Sequence, residues 1–391
     1  MNSSEKIETG KGFYMRRATL KDIQELLTLY FTIYGNTYPL DLGTNRDTMT
    51  RLIKDPQNLW LVAIDEKSNA LCGSAVFEID PFYKISRAEG LVVHPDYQKR
   101  GIASILLSYG SKYLLETAQI VNSIYTTTRT LSVAPQLVFL KDNYIPLGIF
   151  PNAHRLANYE TLTLLAKFRP GVLENRRPTK EVPEALGPIL KTLGKFIKST
   201  MPQPKLLRFN KPNATGEKLE FELIHAPQFV ERKFFKTFTN PYDRFYPFHK
   251  PNFLISAKNG EVDIYGNLSA ADGYCTLIAT TQPTFSMAGR MRPLMLQLRD
   301  FGVTYLEILM EVDNILSLEA LLDVQFLPSA VYPAMLEYNG KCVDLVLMSR
   351  TLEPLNFSGM QIEKSFKPYI DQYVELWKKM HLDVLGVFNE K

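Results

Sequence analysis

Two hydrophobic periods alternate along the chain. Residues 13–18 read as a strand, and Thr19-Leu20-Lys21-Asp22 opens a helix with a capping threonine and an acid in its first turn. Ile23, Leu26, Leu27 and Tyr30 then keep helical spacing. Residues 59–64 and 71–79 are apolar runs of strand length, and the polar residues 65–69 between them predict a hairpin turn. A third strand over 88–93 runs through a turn into a helix over 101–118. Residues 123–128 are β-rich, 133–141 predict a short helix and 159–165 a last strand. This order predicts an α/β (α+β) domain with hairpins on one side, not a parallel sheet throughout.

The pattern breaks between 168 and about 215. Seven of the 24 prolines fall there (Pro170, Pro178, Pro183, Pro188, Pro202, Pro204 and Pro212), which marks a connector. One helix interrupts it. Leu186, Ile189, Leu190, Leu193, Phe196 and Ile197 share a face, with Lys191, Lys195 and Lys198 mostly outside it. Such a helix suits packing between domains better than a membrane surface. The expected organisation is a first domain over 1–168, a connector over 169–215, a second domain over 216–350 and a helical tail over 351–391.

Composition narrows the classes. At about 150 residues per domain, 391 residues suit two or three domains. The chain is 45% hydrophobic and 22% charged, the balance of a soluble globular protein. Its 45 basic and 41 acidic residues leave a net charge of +4 without a basic run, which does not suit a nucleic-acid partner. No apolar stretch approaches the roughly 20 residues that span a bilayer. The polar start, MNSSEKIETGKG, has no apolar core of a secretory signal. The expectation is a cytoplasmic chain with no membrane partner; oligomeric state is open. Cys72, Cys275 and Cys342 are far apart in apolar runs and read as buried small hydrophobes. Five scattered histidines form no metal constellation, so no metal is expected.

The chemistry is concentrated in the turn after the third strand. From Leu91 to Ala103 it reads LVVHPDYQKRGIA. This resembles the acyl-CoA-binding signature of the GNAT superfamily of N-acyltransferases, Q/R-x-x-G-x-G/A after a strand. Gln98, Gly101 and Ala103 fill the three defining positions, and the resemblance covers residues 13–168. A diphosphate approaches the free backbone amides at a helix N-terminus, so small residues leave its path open. The resemblance implies acetyl-CoA or another short acyl-CoA as co-substrate. It places the cofactor against Leu91, Val92, Val93, Gln98, Lys99, Arg100, Gly101, Ile102, Ala103 and Ser104. The backbone N–H near Val93 would polarise the thioester carbonyl.

The family usually carries an asparagine and then L-Y-x-x-x-G-F downstream, the tyrosine often protonating the departing thiolate. Here the segment from Ser132 to Tyr144 reads SVAPQLVFLKDNY. Ser132 stands for the asparagine and Phe139 for the tyrosine, so the donor is left open among water, Tyr125, Tyr144 and Thr126 to Thr128. In several GNAT enzymes a glutamate on the strand before the turn accepts the amine proton, and Glu89 stands there. The other reading of Glu89 is a strand-edge residue facing solvent. His94 is a weaker candidate for the base.

A second copy shows faintly. A shift of 188 residues lays TQPTFSMAGRM, Thr281 to Met291, on Val93 to Ala103, with Pro283, Phe285 and Gly289 on Pro95, Tyr97 and Gly101. A shift of 182 lays Gln325 to Pro333 on Asn143 to Pro151. Met291 in place of Ala103 and Ser286 in place of Gln98 predict a degenerate, non-binding copy. Asn314 falls near the family's asparagine, with Glu311 just before it, and Leu321 takes the tyrosine position. The resulting expectation is a tandem GNAT acetyltransferase acting on a small-molecule or protein amine. The alternatives are a non-catalytic acyl-CoA-binding scaffold and a dedicated protein N-acetyltransferase. The aromatic run from Asn240 to His249 reads either as an acceptor-lining loop or as a packed interdomain loop.

Overall fold

The computed structural model describes residues 5–35, 41–155, 159–197, 203–208, 219–286 and 292–382. The chain divides into two units. The first comprises Met1–Thr127, Ala134–Ile145 and Leu165–Val172; the second comprises Thr128–Val133, Pro146–Leu164 and Leu173–Lys391.

In the first unit the elements are β1 (Ile7–Glu8), β2 (Phe13–Arg17), α1 (Ile23–Tyr34), α2 (Arg46–Lys54), β3 (Leu59–Asp65), β4 (Leu71–Asp80), β5 (Ile85–Val93), α3 (Ile102–Lys112), β6 (Ser123–Arg129) and α4 (Ala134–Lys141). The strands lie in sequence order, antiparallel up to β5, with β5 and β6 parallel. The expected helix start is a capping box: Asp22 accepts from the Thr19 amide at 2.7 Å and pairs with Arg16 at 2.7 Å. α1 and α2 bury Leu26, Tyr30, Met49 and Leu52 against Trp60, Val62 and Val76 of the sheet. The helix expected to 118 is α-helical only to Lys112 and continues as a π-turn over Tyr113–Thr117.

α3 lies close to β4 because two positions lack side chains. A Cβ on Gly73 would stand 2.7 Å from Ile102 Cγ2, and one on Gly110 would stand 2.2 Å from Phe77 Cε2. Phe77 is fully buried, so its ring has nowhere to retreat. Gly110→Ala is therefore expected to lower unfolding free energy by about 1–3 kcal/mol through overpacking, read from denaturant midpoints at unchanged m-value.

The second unit begins with β7 (Ile145–Arg155) and β8 (Tyr159–Phe168), then β9 (Glu181–Pro183), α5 (Gly187–Ile197), β10 (Lys205–Leu207), β11 (Phe221–His225), α6 (Pro227–Thr237), β12 (Phe253–Ala257), β13 (Asp263–Ser269) and β14 (Tyr274–Thr280). There follow α7 (Arg292–Asp300), β15 (Tyr305–Glu311), α8 (Ile315–Asp323), β16 (Leu327–Tyr338), β17 (Lys341–Thr351) and α9 (Lys367–His381). The main-sheet order is β8-β7-β16-β17-β15-β14-β13-β12-β11, with β14 and β15 parallel.

Strand β7 was not expected. Pro146, Gly148 and Pro151 break its apolar pattern, and proline contributes no ladder N–H. Gly148 pairs with Ala330, where a Cβ would lie 2.3 Å from the Ser329 carbonyl. Residues 146–164 fall in the second unit. α5 buries Ile189 and Leu193, Leu186 just before it is also buried, and in α9 Tyr369 donates to the Pro146 carbonyl at 2.8 Å.

The strand order β11-β12-β13-β14-β15 in the second unit repeats that of β2-β3-β4-β5-β6 in the first, with one parallel pair at the fourth and fifth places of each.

Candidate active site

The strand-turn-helix segment is built as its residues demand. After Val93, Pro95–Tyr97 forms a 3-10 turn, and Lys99 and Gly101 take left-handed backbone with φ of 63° and 80°. Successive amides in such a turn can converge on an anion. The first α-helical bond runs from the Ile105 amide to the Gly101 carbonyl at 3.0 Å. The amides of Ile102, Ala103 and Ser104 thus lack intrahelical partners, and no side chain caps them. Gln98, Lys99, Gly101 and Ser104 are exposed, while Ala103 is half-buried. The nearest atom to a Cβ on Gly101 would be Lys11 Nζ at 3.8 Å. Lys11, between two glycines near the N-terminus, is a cation that sequence reasoning did not place here.

Arg100 is differently employed from the phosphate contact expected of it. Its guanidinium pairs with Asp65 at 3.1 Å and lies over the Tyr97 ring. The Ser68 amide and hydroxyl, with Arg100, hold the Asp65 carboxyl down to about 2. That pair ties the turn to the β3–β4 hairpin.

Upstream, β5 parts from β6. Their parallel register runs from Ile85–Ser123 to Arg87–Tyr125 and stops, leaving the edge from Ala88 to Val93 without a partner strand among the described residues. Glu89 is on that stretch, half-buried rather than facing open solvent, with its carboxylate 3.2 Å from Arg87 Nε. Arg87 also pairs with Glu78 across the β4–β5 ladder at 2.6 Å. Burial pushes the Glu89 carboxyl above its ordinary range; Arg87 opposes this and Glu78 adds to it. A carboxylate so held exchanges a proton nearer neutral pH than an exposed one. His94 is turned toward Asp96, its Nδ1 accepting from the Asp96 amide at 3.3 Å.

On the β4 side the ladder is bulged. Ser74 faces Val92 and Val76 faces Glu89, so Gly90 and Leu91 share one partner position. Gly90 is left-handed at φ 59°, and its carbonyl accepts from the Tyr30 hydroxyl at 2.9 Å. Tyr30 also lines a groove of about 550 Å³ with Leu27, Thr28 and Phe31 of α1 and with Gly43 and Thr44. That volume suits a small ligand.

The proton-donor candidates separate. Phe139 is buried, its ring edge-on to Tyr144 at 5.1 Å. Tyr144 is equally buried, and its hydroxyl is bonded to Ser111 Oγ at 2.9 Å. Burial raises its pKa far above the ordinary phenol value. Tyr144 is thus occupied in the core. Tyr125 instead stands in register with Arg87, and with Glu89 and Glu78 it favours the charged guanidinium against the cost of burial.

In the second unit, Gly289 and Met291 lie outside the described residues. On its parallel pair, buried Glu307 accepts from Tyr246, Tyr274 and Tyr305, the last at 3.0 Å. Burial raises the Glu307 carboxyl, and the three hydroxyls oppose that shift. Tyr246 belongs to the aromatic run from Asn240 to His249, which thus packs within its own unit. Asn314 caps α8 through the Ser317 amide at 3.4 Å, and Leu321 is buried. All three cysteines are free and buried, and among the described residues no helix is long and apolar enough to cross a membrane.

Residues 20–134 match the family model described as "Acetyltransferase (GNAT) family". This segment, which contains Glu89, the strand bulge and the turn into α3, is a GNAT acetyltransferase domain. No curated protein matches the chain. Among solved structures, the ribosomal-protein-S5-alanine acetyltransferase from Vibrio fischeri aligns at 13% identity over 43% of this chain and 98% of that one, with a TM-score of 0.38. A spermidine N-acetyltransferase chimera from Vibrio cholerae and hSSAT aligns at 15% identity over 40% and 96%, TM-score 0.35. An acetyltransferase from Salmonella typhimurium that modifies the N-terminal serine of ribosomal protein L7/L12 aligns at 17% identity over 42% and 99%, TM-score 0.36.

Proposed function

We propose that the chain transfers an acyl group, most simply acetyl, from its CoA thioester to a primary amine by direct attack, using one CoA site in the first unit. The observation that carries this reading is the uncapped N-terminus of α3, set directly after a strand whose far edge is left unpaired. Free helix amides and the helix dipole favour a diphosphate there, with Lys99 and Lys11 as exposed cations beside it. The acyl arm would then lie along the free edge of β5. The neutral amine attacks the thioester carbonyl, and a strand N–H takes up the developing oxyanion charge. Glu89 receives the amine proton, directly or through a water. Collapse of the tetrahedral intermediate breaks the C–S bond, and the thiolate takes a proton from water or from Tyr125.

The second unit, in this reading, is a degenerate GNAT copy that does not bind CoA. Its support is the repeated strand order, the Met291 and Ser286 replacements, and a buried Glu307 saturated with tyrosine hydroxyls. Calorimetric titration with CoA is expected to saturate at one molecule per chain; saturation at two would overturn the assignment of a dead second copy. Thiol release from acetyl-CoA is expected only with certain amines, spermidine and an alanine-terminated peptide being two suitable probes. Tight CoA binding without release across a broad amine panel would favour the scaffold reading, which draws on Phe139 in the place of a proton-donating tyrosine.

A further inference from the structure

We propose that Tyr30 is a positioning residue of the acyl site: its hydroxyl holds the Gly90 carbonyl out of the β4–β5 ladder and fixes the bulge that meets the acyl group. This inference rests on the acetyltransferase reading above. Trp60 Nε1 donates to Ser74 Oγ at 2.8 Å, Ser74 Oγ lies 3.5 Å from Tyr30 Oη, and Tyr30 donates to the Gly90 carbonyl at 2.9 Å. An indole N–H is only a donor, so the Ser74 oxygen accepts and keeps its own hydrogen for Tyr30. Tyr30 in turn spends its hydrogen on Gly90. The chain runs one way, from β3 through β4 and α1 to one carbonyl of β5.

That carbonyl is not held by accident of packing. Gly90 is left-handed, and a Cβ there would stand 2.5 Å from the Tyr30 oxygen and 3.2 Å from Val76 Cγ2. Only glycine at 90 leaves room for the Tyr30 hydroxyl where it stands. In a trans peptide the carbonyl of one residue and the N–H of the next point in opposite directions. With the Gly90 carbonyl drawn toward α1, the Leu91 N–H is turned away from α1. It becomes the donor offered to the thioester carbonyl beside the free edge of β5. Trp60, Ser74 and Tyr30 are all fully or almost fully buried, so water does not compete for these bonds.

The test separates the acyl contact from CoA binding. Wild type, Tyr30→Phe and Ser74→Ala are titrated calorimetrically with CoA and with acetyl-CoA, and folding is checked by thermal unfolding. Wild type is expected to bind acetyl-CoA more tightly than CoA. Tyr30→Phe is expected to lose that preference by about tenfold, the worth of one buried hydrogen bond, with CoA affinity unchanged. Ser74→Ala should lose part of it. An unaltered ratio in Tyr30→Phe overturns the proposal, as does an equal loss for both ligands, which marks a merely structural role. Equal wild-type affinity for the two ligands overturns it as well. If Tyr30→Phe does not fold, Ser74→Ala decides by the same ratio. Failure of wild type to bind either ligand sinks the acetyltransferase reading itself, a result distinct from the others.

Discussion

Replacing Glu89 by glutamine is expected to lower acetyl transfer by about 10²–10⁴-fold, the usual contribution of a general base, while acetyl-CoA affinity stays near that of wild type. Glutamine keeps the shape and the hydrogen-bonding oxygen but accepts no proton. The carboxyl is half-buried against Arg87 on a strand edge that β6 has left, so it faces the course proposed for the acyl arm. The pH dependence has a definite sign. A base works deprotonated, so transfer falls as pH drops through the Glu89 pKa. Burial raises that pKa, which places the acidic limb above the ordinary glutamate value of about 4.3. Arg87 lowers it, so Arg87→Gln should move the limb to higher pH. Steady-state rates across pH for the two variants check both statements. If Glu89→Gln transfers at the wild-type rate at every pH, the proton leaves by another route.

Gly101→Glu is expected to abolish measurable CoA binding while the protein remains folded. The left-handed backbone at 101 is awkward for an L side chain, at a cost of about 1–2 kcal/mol, but the surrounding space is open to 3.8 Å. The carboxylate would stand at the mouth of three free amides. Two like charges about 4 Å apart repel by about 1–4 kcal/mol between water-like and surface dielectrics, and each amide bond lost to a phosphate removes roughly 1.5–3 kcal/mol more. Together these weaken binding by about a hundredfold or more. Gly101→Asn, which tolerates left-handed geometry, separates strain from charge and should bind CoA better than the glutamate variant. Calorimetry reads both. Unchanged affinity in Gly101→Glu would remove the diphosphate from this turn, and one retained equivalent would point to the second unit as the live copy.

The order of elements in the first unit was legible because its strands and helices carry their own periods. Helix α1, the β3–β4 hairpin and the run from β5 into α3 are each specified by neighbours in sequence: a capping box, a polar turn, a glycine at the helix start. Strand β7 was not legible, since Pro146 and Pro151 break its pattern. Its partners in the sheet are β8, next in sequence, and β16, which it meets at Ala330 nearly two hundred residues away. The amphipathic helices expected in the connector and tail likewise show that they pack, not against what.

For the site, the sequence by itself determined the helix N-terminus that suits a diphosphate and put one carboxylate on the strand leading to it. Both are local properties of a few consecutive residues. Only the tertiary structure decided how those groups are used. It committed Arg100 to Asp65, locked Tyr144 to Ser111, and set Glu89 between burial and Arg87, since charge and proton affinity depend on what surrounds a side chain. It also brought Trp60, Ser74, Tyr30 and Gly90 into one hydrogen-bonded chain. Hydrogen bonds act over about 3 Å, and no spacing along the sequence records which distant residues folding will bring that close.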